Sequence, residues 1–226
     1  MTKEQYKQIE NYMLSCMKDS AHDREHVYRV LFVALDIAQT ENADTDVLIA
    51  ACLLHDIARK DENENPGLCH AKLGAQKARA FLVENGWDAA FADSVARCIS
   101  THRFRANNPP ESIEAKILFD ADKIDVCGTL GIARTLVYNG AHGEPLYTLD
   151  KNAMPSDGTA DTEPSFFQEY KFKLEKVYGK LITNRGREIA EERRRTAEAF
   201  YNDMLRETRE PYKKGKELLI RLIAEF

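Results

Sequence analysis

The sequence is poor in the features that mark secreted, membrane or disulfide-rich proteins. It has five cysteines in 226 residues and no Cys-x-x-Cys spacing, which argues against a disulfide framework and against a zinc knuckle. No window approaches the roughly 18 consecutive apolar residues that a membrane span needs. The N-terminal MTKEQYKQIE lacks the apolar core of a signal peptide. The sequence therefore predicts a reduced, cytoplasmic protein with no membrane association.

An excess of positive charge is also missing. The formal net charge is −5, from 32 basic and 37 acidic residues, which argues against non-specific binding of nucleic acid. A small phosphorylated substrate remains compatible with this charge, because a metal ion and a few cations dominate the potential of a pocket. A length of 226 residues, 43% hydrophobic and 31% charged, predicts a single compact domain covering residues 1–226.

Strand-like alternation is almost absent, and helical periodicity runs through most of the chain. We therefore predict an all-α fold of about nine to ten helices. The predicted helix starts are a capping box at Thr2 and Gln5, a cap at Asp23, a first helical residue at Thr45 or Asp46, and a cap at Asp88. Two further helices are predicted from about His70 to Gly86 and from Thr129 to Tyr138.

The last third of the sequence contains a long segment without apolar periodicity. Residues 140–164 are rich in Gly, Pro, Asp, Thr and Ser, and only Leu146, Tyr147 and Leu149 can anchor them. Such long loops are often lids or disordered, so we predict a mobile flap near the functional site. Two helices follow over about 165–184 and 186–207. The closing extension, 209–226, carries an apolar stripe that either completes the core or forms a homodimer contact.

Four ionisable residues lie on the apolar stripes of four different predicted helices: His26, His55, His102 and Asp122. A polar side chain that faces a core destabilises the fold unless it is paired or coordinated. One such histidine is more often a hydrogen-bonded core residue than a ligand, but four convergent residues favour an internal metal site. His55 and Asp56 are adjacent, and imidazole with carboxylate suits a borderline or hard divalent ion.

The segments HVYRV at 26–30, LHDI at 54–57 and DADKID at 120–125 resemble the H…HD…D signature of the HD metal-dependent phosphohydrolase superfamily. The segments THRF at 101–104, EAKIL at 114–118 and GTLGIAR at 128–134 are similar to a bacterial and archaeal subgroup of stand-alone HD hydrolases, some of which are nucleotide pyrophosphohydrolases. The resemblance spans about residues 20–205. Ile57-Ala58-Arg59 departs from the Ile-Gly-Lys of the cyclic-dinucleotide phosphodiesterases, so the resemblance does not extend to that activity.

The resemblance implies a site with one or two divalent ions per chain, with Mn, Co, Mg, Ni, Zn and Fe all left open. The implied ligands are His26, His55, Asp56 and Asp122, and Asp120 replaces Asp122 if the helix phase differs. Other implied roles are a second metal or substrate contact for His70 and His102, support of the ligands by His22 and Asp125, and substrate phosphate contacts for Arg103 and Lys123.

The implied activity is hydrolysis of a small phosphorylated compound, with a nucleotide as the expected substrate, by metal-activated water. Asp56 or Asp122 would accept the proton of that water. Two alternatives stay open. One is a di-iron oxygenase, which the two extra histidines would suit, and the other is a non-catalytic nucleotide-binding sensor.

Overall fold

The computed structural model describes residues 1–17, 24–104 and 108–224. Across these ranges the regular elements are helices, and the one β-type pairing is an isolated antiparallel bridge between Leu149 and Pro155. The predicted all-α class is therefore confirmed. None of the helices in this part of the chain is long and apolar enough to cross a membrane.

The described ranges contain ten α-helices, which we number in chain order. They are α1 (Lys3–Cys16), α2 (Arg24–Ala38), α3 (Thr45–Leu54), α4 (Arg59–Glu64), α5 (His70–Glu84), α6 (Ala89–Thr101), α7 (Ile113–Ile124), α8 (Gly128–Ala141), α9 (Phe166–Glu169) and α10 (Asn184–Ala224). A π-helical turn, Tyr170–Leu174, and a 3-10 turn, Val177–Lys180, follow α9.

The chain forms two compact units. One consists of Met1–Asp125 with Leu181–Arg187, and the other of Val126–Lys180 with Glu188–Phe226. The three segments that carry the predicted metal ligands, 26–30, 54–57 and 120–125, all lie in the first unit. The segment 140–164 lies in the second unit.

Helix α3 is the centre of the first unit. Seven of its ten residues are buried, because α3 packs against α1, α2, α5, α6 and α7. A helix that is apolar on every side is stable only when it is covered on every side. The position of α3 therefore follows from its sequence, and so does the burial of His55 and Asp56, which directly follow its last residue.

Several predicted helix boundaries are confirmed by the capping contacts. Thr2 and Gln5 form the capping box of α1, and the Asp88 side chain accepts a hydrogen bond from the backbone N–H of Phe91 at the start of α6. Gly86 has φ +82°, as its position after α5 predicted. Helix α3 does begin at Thr45, but its capping side chain is Asp44, which precedes the two residues we considered. The predicted cap Asp23 lies outside the described residues.

The prediction of one helix over 165–184 is wrong. The chain there forms the short helix α9, a π turn and a 3-10 turn, although its apolar residues recur at helical spacing. Tertiary packing explains the difference: Tyr170 stacks on Tyr201 with ring centroids 4.1 Å apart. Phe167 meets the same Tyr201 ring edge-on at 5.4 Å. These buried aromatic contacts form the core of the second unit and override the local helical pattern.

The predicted end of a helix near residue 207 is also wrong, because α10 (Asn184–Ala224) continues through Pro211. Proline in a helix interior costs about 3 kcal/mol. Contacts on both sides of Pro211 favour the continuous helix: Arg209 Nε donates to the carbonyl of Pro155 at 3.0 Å, and Lys216 Nζ donates to the carbonyl of Asn152 at 3.1 Å.

The apolar stripe of the closing extension does not complete a core. Its side chains are 57–62% exposed, namely those of Leu218, Leu219, Leu222 and Ile223. The prediction that this stripe completes the core is therefore wrong. The alternative, a homodimer contact, stays a prediction.

The segment 140–164 is anchored by polar contacts that its composition did not suggest. Asp161 accepts hydrogen bonds from Thr148 Oγ1 at 2.7 Å and from Ser156 Oγ at 2.5 Å. The Tyr201 hydroxyl donates to the carbonyl of Asp157 at 2.5 Å. Two of the three apolar residues that we took as anchors, Leu146 and Leu149, are about half exposed. Side-chain and backbone hydrogen bonds therefore hold this segment within the second unit, and its role as a flap stays a prediction.

Gly158 gives a test of this anchoring. It has φ +85°, and a Cβ there would lie 2.2 Å from the carbonyl oxygen of Phe167. Gly158→Ala should lower the free energy of unfolding by roughly 2 kcal/mol or more, from backbone strain and overlap. Gly140 is the matched control, because it lies in α8 with nothing within 4 Å of an added Cβ. Gly140→Ala should raise stability by about 0.5–1 kcal/mol. Equal urea midpoints for the two variants would contradict the described packing.

Candidate metal centre

Four histidines from four helices meet inside the first unit. His26 lies in the first turn of α2, and His70 is the first residue of α5. His55 and His102 directly follow the last residues of α3 and α6. All four are buried, with exposed fractions of 6% or less. The structure therefore brings His26, His55 and His102, which we placed on apolar stripes, together with His70.

Two of these rings are oriented by the helices that precede them. His55 Nδ1 lies 2.7 Å from the carbonyl oxygen of Cys52, and His102 Nδ1 lies 2.7 Å from that of Ile99. A carbonyl oxygen only accepts hydrogen bonds, so Nδ1 carries the proton in both rings. Because each histidine stands just past a helix end, its ring reaches back to the carbonyl three residues earlier.

Carboxylates orient the other two rings. His26 Nδ1 lies 2.7 Å from Asp125 Oδ2, and His70 Nδ1 lies 2.5 Å from Glu62 Oε2. Burial opposes the ionisation of Glu62, but hydrogen bonds from His70 and Arg103 lower its pKa to about 2. An ionised carboxylate accepts hydrogen bonds and donates none, so Glu62 fixes the proton of His70 on Nδ1.

The Nε2 atoms of the rings therefore face each other in pairs. His26 and His55 have Nε2 atoms 3.3 Å apart, and those of His70 and His102 are 3.2 Å apart. With Nδ1 protonated, every neutral ring presents an Nε2 lone pair to its neighbour. Two lone pairs at this distance repel, and a cation between them turns the repulsion into coordination.

The alternative to a cation is a second proton on one ring, and His26, His55 and His102 differ in their ability to take it. Burial and the nearby His55 lower the pKa of His102 to about 3, and burial also lowers the pKa of His55. Burial works in the same direction on His26, but Asp122 and Asp125 raise its pKa to about 9. A metal ion bound at the first pair would replace that proton.

Asp56 is shared between the two pairs. Its Oδ2 lies 3.7 Å from His26 Nε2 and 3.6 Å from His55 Nε2. Its Oδ1 lies 3.3 Å from His70 Nε2 and 3.7 Å from His102 Nε2. The ligand atoms of each trio lie within 4.8 Å of one another. Two donors on one divalent ion are roughly 3–3.5 Å apart when each bond is about 2.0–2.2 Å, so both trios are close to ligand geometry.

The Oδ1 atom of Asp56 fits a metal ligand for a second reason. It is fully buried and has no hydrogen-bond partner among the described residues. A buried carboxylate oxygen without a partner is strongly destabilising. Nitrogen and carboxylate donors together suit borderline or hard divalent ions. The residues present therefore fit a divalent cation at each trio.

Asp122 adds a further oxygen beside the first trio. Its Oδ1 lies 3.5 Å from His26 Nε2, and its Oδ2 accepts from Lys123 Nζ at 2.9 Å. Burial would raise the pKa of Asp122, but the Lys123 ammonium and His26 hold it well below its usual range. Asp122 is therefore ionised and aimed at the same point as His26, as its place on the inner stripe of α7 predicted.

The remaining candidate residues have other contacts. Asp120 accepts from the backbone N–H of Ile182 at 2.9 Å and from the Thr183 hydroxyl at 2.6 Å, so the helix phase that would have made it a ligand is not the one observed. Arg103 Nη1 donates to Glu62 Oε1 at 2.6 Å. His22 lies outside the described residues.

Sequence reasoning missed two residues of this centre, Arg59 and Glu62. Arg59 Nε donates to Asp56 Oδ2 at 3.0 Å, and Glu62 holds His70. Both lie in α4, a helix that we did not predict and that buries none of its residues. The charged run RKDENE has the pattern of a solvated surface. The one feature of the sequence that could have linked this run to the metal centre is its position directly after the His-Asp pair.

The comparisons with known proteins place this geometry in context. Residues 24–127 match the family model described as HD domain. The Bacillus subtilis protein YpgQ is 31% identical over 195 residues, which cover 84% of this chain and 86% of YpgQ.

Solved structures are similar over nearly the whole chain. The crystal structure of Bacillus subtilis YpgQ in complex with ADP has a TM-score of 0.70 at 28% identity and covers 90% of this chain and 95% of its own. A HD-superfamily hydrolase from Bacillus thuringiensis has a TM-score of 0.70 at 28% identity, with 91% and 97% covered. A predicted HD superfamily hydrolase from an uncultured Thermotogales bacterium has a TM-score of 0.58 at 28% identity, with 97% and 91% covered.

Asp120 and Asp122, two residues apart, should separate structural from metal-binding carboxylates. Asp120→Ala leaves the donors of Ile182 and Thr183 without their acceptor, so it should lower the free energy of unfolding by roughly 2–3 kcal/mol and keep the metal content. Asp122→Ala should lose metal and stay folded. Guanidinium unfolding and elemental analysis of both purified variants measure this. Loss of metal from a folded Asp120→Ala protein would contradict the assignment.

Proposed function

This chain belongs to the HD domain family and is a metal-dependent hydrolase, and from that premise we propose that it hydrolyses a phosphoester or pyrophosphate bond of a nucleotide. The observation that carries the proposal is the pair of histidine trios that share Asp56. A centre of this kind holds two cations close together, which is the arrangement used for attack on phosphorus.

We assign His26, His55, Asp56 and Asp122 to the first ion, and His70, His102 and the second oxygen of Asp56 to the second. A divalent ion bound there supplies Lewis acidity toward a phosphoryl oxygen and lowers the pKa of a nearby water. The four histidines of the centre offer Nε2, because their Nδ1 atoms are engaged by Cys52, Ile99, Asp125 and Glu62. The centre is thus oriented before substrate binds.

The charged side chains around the centre have two roles: some pair with the ligand carboxylates, and others can contact the substrate phosphate. Lys123 and Arg59 each pair with a ligand carboxylate, Asp122 and Asp56 respectively, and keep it ionised and able to accept a proton. Arg103 is 17% exposed at its side chain and uses Nη1 for Glu62. A guanidinium has five N–H donors, so Arg103 can hold Glu62 and a substrate phosphate together. Lys123 is the second candidate phosphate contact.

A nucleotide is the substrate class that we propose for this centre. The similar Bacillus subtilis protein YpgQ has a crystal structure in complex with ADP, and ADP offers both a phosphoester and a pyrophosphate bond. A screen should use nucleoside mono-, di- and triphosphates with simple phosphoesters, each with Mn²⁺, Co²⁺, Mg²⁺ or Fe²⁺. Phosphate or pyrophosphate release that depends on the ion supports the proposal. Release that is unaffected by a chelator would overturn it.

Single substitutions in the first trio should abolish this hydrolysis. We expect His55→Ala and Asp56→Ala to lower turnover by at least about a thousandfold, an order typical of the loss of a catalytic element, with the far-ultraviolet circular dichroism largely kept. His142→Ala is the matched control, because His142 also places Nδ1 on a backbone carbonyl, that of Tyr138, but is exposed. The control should retain wild-type turnover. Full activity of either trio variant would count against the assigned centre.

The second trio is also compatible with one alternative reaction, that of an oxygenase. Two ions held by histidines and a shared carboxylate also suit a di-iron oxygenase. Running the same assays with Fe²⁺ under air and under anaerobic conditions separates the two, because hydrolysis consumes no oxygen. A non-catalytic nucleotide sensor would bind nucleotide with no turnover under any of these conditions.

A further inference from the structure

The two halves of the centre are built on the same plan. In each half, one histidine is held by a carbonyl of its own helix and the other by a carboxylate that also accepts from an arginine. In the first half, Asp125 accepts from His26 at 2.7 Å and from Arg29 Nε at 2.7 Å. In the second half the corresponding carboxylate is Glu62.

Glu62 uses its two oxygens on two different partners. Oε2 lies 2.5 Å from His70 Nδ1, and Oε1 accepts from Arg103 Nη1 at 2.6 Å. Arg59 Nη1 lies 3.8 Å from the same Oε2. The Glu62 side chain is 18% exposed, so these charge-assisted contacts are partly shielded from water. Arg103 therefore holds the Glu62 carboxylate in place, and Glu62 in turn orients the His70 ring.

We propose that Glu62 is the positioning residue for the second ion: it orients His70 through Nδ1 and is itself held in place by Arg103. This rests on the proposed two-ion centre. A carboxylate that accepts the outer N–H of a metal-binding histidine raises the metal affinity, and its loss typically costs 10–100-fold. The histidine that Glu62 holds belongs to the second half, and the contact of Glu62 toward the first half is the longer pair with Arg59 at 3.8 Å, so removal of Glu62 should weaken the second ion more than the first.

A purely structural salt bridge on α4 is the competing explanation. The helix has six residues, none of them buried, and no side-chain cap. Surface ion pairs contribute about 0–1 kcal/mol to stability, so a structural role would show as a small stability change with both ions still bound. A positioning role would show as selective loss of one ion.

The experiment titrates Mn²⁺ into metal-depleted full-length protein by calorimetry and records the electron paramagnetic resonance spectrum at two equivalents. The variants are Glu62→Gln, which keeps an acceptor oxygen and loses the charge, and Glu62→Ala. Asp61→Asn is the matched control, because Asp61 lies next to Glu62 in α4 and pairs with Lys77 at 2.7 Å. It removes the same charge one residue away.

We expect wild type and Asp61→Asn to bind two ions with the spectrum of a coupled pair. Glu62→Ala should weaken one of the two sites 10–100-fold and replace that spectrum by one of isolated Mn²⁺, and Glu62→Gln should show a smaller shift in the same direction. Two unweakened sites in both Glu62 variants, or equal weakening of both sites, would overturn the proposal. One ion in wild type would overturn it as well, whereas no ion in wild type would overturn the proposed function itself.

Discussion

The hydrogen bond on Nδ1 of each buried histidine is the constraint on which the centre depends. Two of these bonds go to carbonyls at helix ends, those of Cys52 and Ile99, and two go to the carboxylates of Asp125 and Glu62. With Nδ1 held in this way, Nε2 is the ring nitrogen that faces the interior of the centre in all four histidines. Two helix ends and two carboxylates therefore direct the four Nε2 atoms inward, where they can act as metal ligands.

Asp56 connects the two pairs, and its position follows from the most apolar helix of the chain. Helix α3 is buried on every side and ends at Leu54, so the next two residues enter the interior instead of the solvent. Such a buried cluster of imidazoles and carboxylates lowers stability on its own. Cation binding would compensate for that cost, so metal affinity and folding stability should be linked in this protein.

Helical periodicity in the sequence was sufficient to predict which candidate ligands face the interior. His26, His55, His102 and Asp122 lie on apolar stripes, and a stripe reports which face is buried. Glu62 and Arg59 have no such signal, since their roles come from the tertiary position of a short polar helix. Packing also decided the π turn, where Tyr170 stacks on Tyr201, and the continuity of α10, where the contacts of Arg209 and Lys216 outweigh the local effect of Pro211.

The central claim is that two ions share Asp56, and anomalous diffraction from crystals grown with Mn²⁺ tests it most directly. We expect two anomalous peaks roughly 3.5–4 Å apart, one beside His26 and His55 and the other beside His70 and His102, with one oxygen of Asp56 on each. A single peak bound by His26, His55, Asp56 and Asp122, with His70 and His102 bound to no metal at saturating Mn²⁺, would contradict the account.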